Sequence, residues 1–481
     1  MQIITPENGF RAPLWRFFAD ILNIPHGSKN EAALSDYIRA FASERGFETK
    51  TDSVGNLVVR KPAAPGYEDH PALVLQGHID MVCEKNDGTE HDFEKDPIRP
   101  ILDGDWLKAD GTTLGADNGI GVAAALAVLD AKDIKHPPIE ALFTVDEESG
   151  LIGAMGLTPE LVEGRRLINL DSEEEGIFYF GCAGGRNTSG SKAIKRIPPG
   201  EGSLLVRLRV EGLAGGHSGG EIHRRLGNAI RLGAQTIAAA GLADYGVCSL
   251  AGGGKHNAIP REFEALLAVK PEDLPKLEQA AADLQAQARR RFADDKPAEI
   301  FCEKLNQAPG AVIANGTALV DGLLALPHGV EEMSPIIHGM VESSTNLASV
   351  RTEEQKLYLL TSQRSAVGFK RDMLSRRVTA VLRLIGCEVK YESEYPAWEP
   401  NPDSPLLKFA EQVFNELSEK KAVLTAVHAG LECGIIESKI PGMDMVSFGP
   451  DIEGPHSPDE RVRISSTERF WAYLVELLGR L

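Results

Sequence analysis

The sequence predicts an α/β fold, a mixed-sheet domain that is interrupted by an α+β insert and completed by the C-terminal segment. Three observations carry this reading. Apolar strands alternate with helical stretches through the first third of the chain, the order expected of helices packed on a parallel or mixed sheet. Three of those strands, Ala72 to Gln76, Ile139 to Val145 and Arg166 to Leu170, run on into His78, Glu147-Glu148 and Asp171. Strand ends are where open α/β sheets collect their ligands. The length of 481 residues exceeds the roughly 250–300 at which single cores stop growing, so at least two domains are expected.

Composition narrows the function classes. The formal charge of −19 argues against nucleic acid as a partner, because phosphate binding needs a basic surface and no Lys/Arg stripe is visible. Cys83, Cys182, Cys248, Cys302, Cys387 and Cys433 are scattered without a Cys-x-x-Cys, so neither a disulfide framework nor a zinc knuckle is implied and a reducing cytoplasm fits. The segment from Met1 to Asn8 has no basic region followed by an apolar core, and no apolar run approaches the ~20 residues of a membrane span. A cytoplasmic protein, neither secreted nor in a membrane, is expected.

Taken in order, residues 29 to 46 carry a helix signal, with Leu34, Ile38, Ala40 and Phe41 on one side, Ser28 and Asn30 as candidate caps and Gly46 as the stop. Glu48 to Asp52 and Asn56 to Arg60 read as a strand pair, followed by the buried strand Ala72 to Gln76. Leu107 to Gly121 is a glycine-rich loop entering the helix Val122 to Leu129, which ends before Pro137-Pro138. The loop contains no Gly-Lys-Ser/Thr and no Gly-x-Gly-x-x-Gly after a strand, so a tight turn that aims Asp117 fits better than a phosphate cradle. Beyond Gly185 the insert reads as a half-exposed strand, Ser203 to Leu213, and a helix from about Arg225 to Ala240. Two further sets follow, each of two strands, a helix and a strand: 247–305, with its helix over 274–292, and 346–395, with its helix over 370–385. Their order suggests two related layers. The proline-rich stretch Pro396 to Pro405 marks a boundary. After it come the helix Leu406 to Glu419, the strand Ala422 to Ala426, a turn at His428 to Gly434, the apolar strand Met443 to Phe448 and a final amphipathic helix.

The strand ends together suit two divalent ions, since zinc and similar ions take imidazole and carboxylate donors and leave a position for water. His78 and Asp171 serve one ion in this reading, Glu148 and His456 the other, and Asp117 bridges them across the ~3.5–4 Å typical of two-metal sites. Asp80, two residues beyond His78, shares its face and orients the imidazole. Glu147 remains as the general base, taking a proton from water and returning it to the leaving amine.

Several motifs resemble the di-zinc aminopeptidase, aminoacylase and dipeptidase superfamily: Gly77-His78-Ile79-Asp80, Gly115-Ala116-Asp117-Asn118-Gly119, Asp146-Glu147-Glu148-Ser149-Gly150, Asn169-Leu170-Asp171-Ser172-Glu173 and Gly454-Pro455-His456-Ser457-Pro458. Within it, Gly181-Cys182-Ala183-Gly184-Gly185, Gly215-Gly216-His217-Ser218-Gly219-Gly220 and His428-Ala429-Gly430-Leu431-Glu432-Cys433-Gly434 resemble the aminoacyl-histidine dipeptidase (peptidase D) family over essentially the whole chain. The resemblance implies a zinc-peptidase-like catalytic domain over 1–185 and 399–481, and a lid and dimerisation domain over 186–398. It further implies a cytosolic homodimer that holds two Zn(2+) per subunit, with Co or Mn as substitutes, and that cleaves unblocked dipeptides, preferentially Xaa-His such as carnosine. His78, Asp117, Glu148, Asp171 and His456 match its metal ligands, and Asp80 and Glu147 its orienting residue and base. His217 matches a lid histidine that polarises the scissile carbonyl, with a helix-start cap as its competing reading. Asn257 and Arg364 match groups that bind the substrate backbone and carboxylate, against competing readings of a loop-capping amide and a surface arginine. Glu432 is grouped with them as a substrate contact. For Glu432 and His428, support of a ligand and plain structure stay open as well. Two other functions remain: an aminoacylase or deacetylase of the same superfamily, and a metal-binding protein of this fold without turnover.

Overall fold

The computed structural model describes residues 3–481. Met1 and Gln2, the start of the segment read above as lacking a leader, lie outside the described residues. The chain divides into two units. One comprises the chain up to Cys182 together with 400–426 and 431–481, and the other comprises 183–399 and 427–430.

The apolar runs of the first unit form an eight-stranded mixed sheet. Its order is Glu48–Thr51, Leu57–Lys61, Ile139–Thr144, Leu73–His78, Arg166–Asn169, Asp444–Ser447, Ile177–Cys182 and Val423–Val427. The strand Leu73–His78 lies parallel to both neighbours, and every one of its residues is buried. Central parallel strands are covered on both faces, which is why they read as unbroken apolar runs. The helix Ala116–Asp130, apolar nearly all round and almost wholly buried, packs against this strand. Phe178, from the first segment, packs against Phe414, Phe448 and Tyr473 of the C-terminal segment, with ring centroids 5.3 to 5.7 Å apart. The late segment therefore completes the first segment's core.

A four-stranded sheet escaped the sequence reading. Trp106–Ala109, taken there as the start of a loop, pairs with Pro100–Asp103 and with Arg461–Arg463, which itself pairs with Ile452–Glu453. These strands are short and partly charged, so no apolar run announces them. The sheet joins the approach to Asp117 to the segment that carries His456. The caps expected at Ser28 and Asn30 are also corrected: the helix Ala32–Glu44 begins after Glu31 without a side-chain cap, and the Ser28 hydroxyl donates to Asp80 instead.

The second unit is built on a nine-stranded sheet. Eight of its strands run in the order Glu299–Lys304, Leu204–Glu211, Phe263–Val269, Tyr245–Gly253, Val341–Thr352, Lys356–Ser365, Gly184–Ala193 and Glu388–Tyr395. The two sets read as separate layers are halves of this one sheet, joined where Ala251–Gly253 pair with Ser349–Arg351. Repeated element order reports what each set contains, but not whether the sets share hydrogen bonds. The first half takes in one strand from elsewhere, Leu204–Glu211, and the second takes in two, the short Gly329–Met333 and Gly184–Ala193. The latter was missed because its sequence is polar and glycine-rich. Helices Leu274–Arg291 and Gly368–Leu384 occupy equivalent places in the two halves. Among the described residues no helix is long and apolar enough to cross a membrane.

Candidate active site

His78 closes the central strand, and its orientation is set from behind. Its Nδ1 lies 3.0 Å from the backbone carbonyl oxygen of Asp80, the acceptor that draws the ring proton to Nδ1 and leaves Nε2 facing forward. The Asp80 carboxylate is close behind the same nitrogen, with Oδ1 at 3.5 Å. Most of its hydrogen bonding goes elsewhere: it accepts the N–H of Glu147 at 2.9 Å, the N–H of Glu148 at 3.1 Å and the Ser28 hydroxyl at 2.8 Å. Asp80 thus ties the end of one strand to the loop leaving the next. Burial opposes its charge, but His78 and these donors prevail and hold its pKa down to about 2.

Asp117 reaches the same place from the start of the helix Ala116–Asp130. Gly77 makes that approach possible, since a Cβ on it would lie 2.3 Å from Asn118 Oδ1. Asn118 in turn donates to the carbonyl of Leu170 at 2.7 Å, which fastens the helix start to the strand leading to Asp171. Glu460 clasps the loop itself. Its Oε2 accepts the N–H groups of Leu114 and Gly115 at 2.7 and 2.9 Å, and its Oε1 those of Ala116 and Asp117 at 2.8 and 3.1 Å. Glu460 lies four residues after His456, whose backbone is left-handed at φ 60°, a conformation that non-glycine residues hold only where the surroundings enforce it.

Two donor clusters result, and Asp117 belongs to both. His78 Nε2 is 3.1 Å from Asp117 Oδ1 and 3.3 Å from Asp171 Oδ1. His456 Nε2 is 3.2 Å from Asp117 Oδ2 and 3.0 Å from Glu148 Oε1. The residues fit a pair of divalent ions. Donors around one tetrahedral ion at about 2.1 Å stand about 3.4 Å apart, close to the spacings here. Asp171 Oδ1 and Glu148 Oε1 are buried and face only the two imidazole nitrogens, an arrangement of lone pairs that suits cations. The electrostatics agree. Burial works against an imidazolium at His78, yet Asp171, Asp117 and Asp80 outweigh it and raise its pKa well above the usual value. Hydrogen bonds to Asp117 and Glu148 push His456 up to about 11. The carboxylates thus draw positive charge into the site.

Glu147 stands beside His78 and Glu148 in a further potential donor group. Burial raises its pKa well above the ordinary carboxylate range, and Asp171, Glu432 and Glu148 add to the shift. Glu432 is fully buried; its Oε2 accepts from Gln76 at 2.6 Å and from Thr144 at 2.7 Å, and its Oε1 has no partner. Sequence reasoning missed Glu460, Ser28 and Glu173. Burial, together with Asp117 and Asp171, pushes Glu173 up to about 8. Only Glu173 carried a signal, its place two residues after Asp171.

In the second unit, His217 Nδ1 accepts the N–H groups of Gly219 at 3.3 Å and Gly220 at 3.0 Å. That leaves the ring proton on Nε2. The protein packed around the ring and the Arg364 cation both lower its pKa, so the ring is a neutral donor near pH 7. The helix-cap reading of His217 fails, because the next helix begins at Ala229 and is capped by Asn228. The surface reading of Arg364 fails too: the residue is buried on the strand Lys356–Ser365 and its Nη1 donates to Tyr395 Oη at 2.9 Å. Asn257 lies in the turn opposite His217, its carbonyl accepting the Ser218 N–H at 2.8 Å. His428 Nε2 lies 2.7 Å from Ser344 Oγ.

Residues 74–480 match the profile of Peptidase family M20/M25/M40. The chain is 41% identical over 472 residues to the cytosol non-specific dipeptidase of Escherichia coli (strain K12), covering 98% of this chain and 97% of the relative. The crystal structure of aminoacylhistidine dipeptidase from Vibrio alginolyticus matches with a TM-score of 0.92 and 41% identity over 98% of this chain and 96% of that one. A tripeptidase from Staphylococcus aureus shares the fold, at a TM-score of 0.57 and 18% identity over 97% of each chain.

Replacing Glu460 by Ala frees four N–H groups of the Asp117 loop without removing any candidate ligand. Metal retained after dialysis against a graded chelator is expected to fall roughly 10–100-fold in affinity. Asp117→Ala should go further and release at least one ion outright. Wild-type metal content in either variant contradicts the geometry described.

Proposed function

This chain belongs to Peptidase family M20/M25/M40 and is a hydrolase of peptide bonds, and we propose that it is a di-metal dipeptidase acting on unblocked dipeptides. The observation that carries the di-metal reading is Asp117, whose two oxygens face two separate His-carboxylate clusters. His78 and Asp171 would hold one ion and Glu148 and His456 the other, with Asp117 within reach of both. Imidazole and carboxylate donors suit zinc, with cobalt or manganese as substitutes. When bound, the ions supply Lewis acidity and acidify water. The dipeptidase reading draws on the two relatives matched over nearly their whole length, both named as dipeptidases.

Glu147 acts as the general base, its raised pKa suiting it to take a proton from the attacking water and pass it to the leaving amine. Asp80 keeps that base in place through the Glu147 N–H while it stands behind His78. His217 donates from Nε2 to the carbonyl oxygen as negative charge develops there. Arg364 and Asn257 take the substrate's carboxylate and backbone. The protein works in the cytoplasm as a homodimer.

Preference for Xaa-His is a separate proposal, because one relative is named for aminoacylhistidine and the other as non-specific. Initial rates on carnosine, unrelated dipeptides, tripeptides and N-acetyl amino acids decide the matter. Hydrolysis confined to dipeptides with a free amine is expected. Turnover of N-acetyl amino acids in preference would make the protein an aminoacylase instead, and metal binding without any turnover would make it a binder. An acyl group on the amine would leave an anionic pocket residue unpaired, which is the physical basis for rejection.

Glu147→Gln should retain both metals and lose about 10²–10⁴-fold in kcat; activity within about threefold of wild type removes Glu147 from the mechanism. His217→Ala should fold, keep its metals and lose about 10²–10³-fold in kcat with a smaller change in KM. A loss seen only in KM would make His217 a binding group.

A further inference from the structure

The second unit contains a cavity of about 870 Å³. It runs the length of the helix Ala229–Ala239, between that helix, the last turns of Leu274–Arg291 and the segments around Arg224 and His328. Arg224, Arg225, Arg231, Arg290 and Arg291 line it, and the lining includes no Asp or Glu. In a chain with 70 acidic against 51 basic residues, a concave wall so composed departs sharply from the average surface. Arg224 has a carboxylate partner in Glu221. Among the described residues the other four have none within ion-pair distance: Arg231 donates to the Leu326 carbonyl at 3.0 Å, and Arg291 lies 5.7 Å from the Phe292 ring centre.

Part of this clustering has an ordinary cause. Arg290 and Arg291 sit in the last turn of a helix, where cations complement the helix dipole. Arg225 and Arg231 have no such reason, for they gather at the start of another helix, where the dipole is itself positive. Burial and the charge of Arg291 both depress the pKa of Arg231, so the repulsion is felt inside the cavity. His328 adds a neutral donor: its Nδ1 faces the amide nitrogens of Asn228 at 3.2 Å and Leu347 at 3.3 Å, which leaves the proton on Nε2.

We propose that this cavity binds a small polyphosphate, either free or as the phosphate chain of a nucleotide. Guanidinium forks match phosphate oxygens two by two. The volume lies in the ~300–1,000 Å³ range of small-molecule sites. Several unpaired cations facing one space call for several linked negative charges, where a single carboxylate would leave most of the repulsion in place. The proposal stands apart from the hydrolytic reading, since none of these residues belongs to the unit that carries the donor clusters.

Calorimetric titration of the full-length, metal-loaded protein tests it, with tripolyphosphate, ATP and adenosine as probes at about 150 mM salt. Saturable binding of one tripolyphosphate per chain is expected, weakening roughly tenfold or more in Arg225→Gln/Arg291→Gln. Both side chains are exposed, so the double variant should fold as the wild type does, and an unchanged thermal transition checks this. Equal affinity for ATP and tripolyphosphate assigns recognition to the phosphate chain alone, and tighter ATP with silent adenosine assigns it to a nucleotide. Chelation of the catalytic metals would be identical in the variant and so cancels from the comparison. No saturable binding up to about 1 mM, or a smaller loss in the variant, overturns the proposal. So does a variant that changes only the assembly state, which would make this face a protein contact.

Discussion

Four successive N–H groups donated to one carboxylate, that of Glu460, are the interaction on which the proposed catalytic arrangement depends. The loop they belong to delivers Asp117 into a space already holding Asp171, Glu147 and Glu148. Carboxylates gathered in a buried space repel one another, and burial together with that repulsion raises the pKa of Glu147 and of Asp171. Something must hold the loop in place whether or not cations are bound. Glu460 does so by satisfying donors that a turn would otherwise leave open, and its acidity shows the opposing forces: burial and Asp117 push its pKa up to about 7 while the backbone donors pull it down.

The sheet supplies the second constraint. Gln76, Asn169 and Ser447 lie side by side on three adjacent parallel strands, and their side chains link in a row, Asn169 donating to Gln76 at 2.6 Å and Ser447 to Asn169 at 2.5 Å. Gln76 then donates to Glu432. A buried polar row of this kind is stable only when nearly every member is paired, and it fixes the relative register of the strands that end in His78, Asp171 and the His456 segment. A slip of one residue would turn every one of those side chains to the opposite face. Register and chemistry are therefore set by the same hydrogen bonds.

The parts of this arrangement that announced themselves in the sequence are those that interrupt a pattern. His78, Glu147, Glu148 and Asp171 each break an apolar run, and Asp117 breaks a run of small residues, so they stand out. The supports do not. Glu460 sits in a Pro-Asp-Glu stretch like many solvated turns, and Ser28 looks like a helix cap until its hydroxyl is found on Asp80. The strand Gly184–Ala193 was invisible because strand reading relies on alternation of apolar and polar residues, and its backbone pairing uses neither. The two halves of the second sheet were seen, but their fusion rests on three residue pairs at Ala251–Gly253, and no side-chain pattern encodes that.

Net charge concealed the other main feature. A formal −19 describes the sum, while each unit segregates its charge by chemistry. The first gathers carboxylates around imidazoles, a set that attracts cations. The second gathers donors: Arg364 and a neutral His217 in one place, and the arginines of the cavity in another. Those arginines come from three separate stretches of chain, so no stripe appears in the sequence although the fold assembles one. Hydrolysis of a dipeptide needs both kinds of surface, an electron-rich pocket to hold cations against the scissile bond and donors to take up the charge that forms on oxygen and the carboxylate already present on the product side. The roles proposed for Glu147 and His217, residues far apart in sequence, follow from this difference in chemistry: the one lies among the carboxylates of the first unit, the other among the donors of the second.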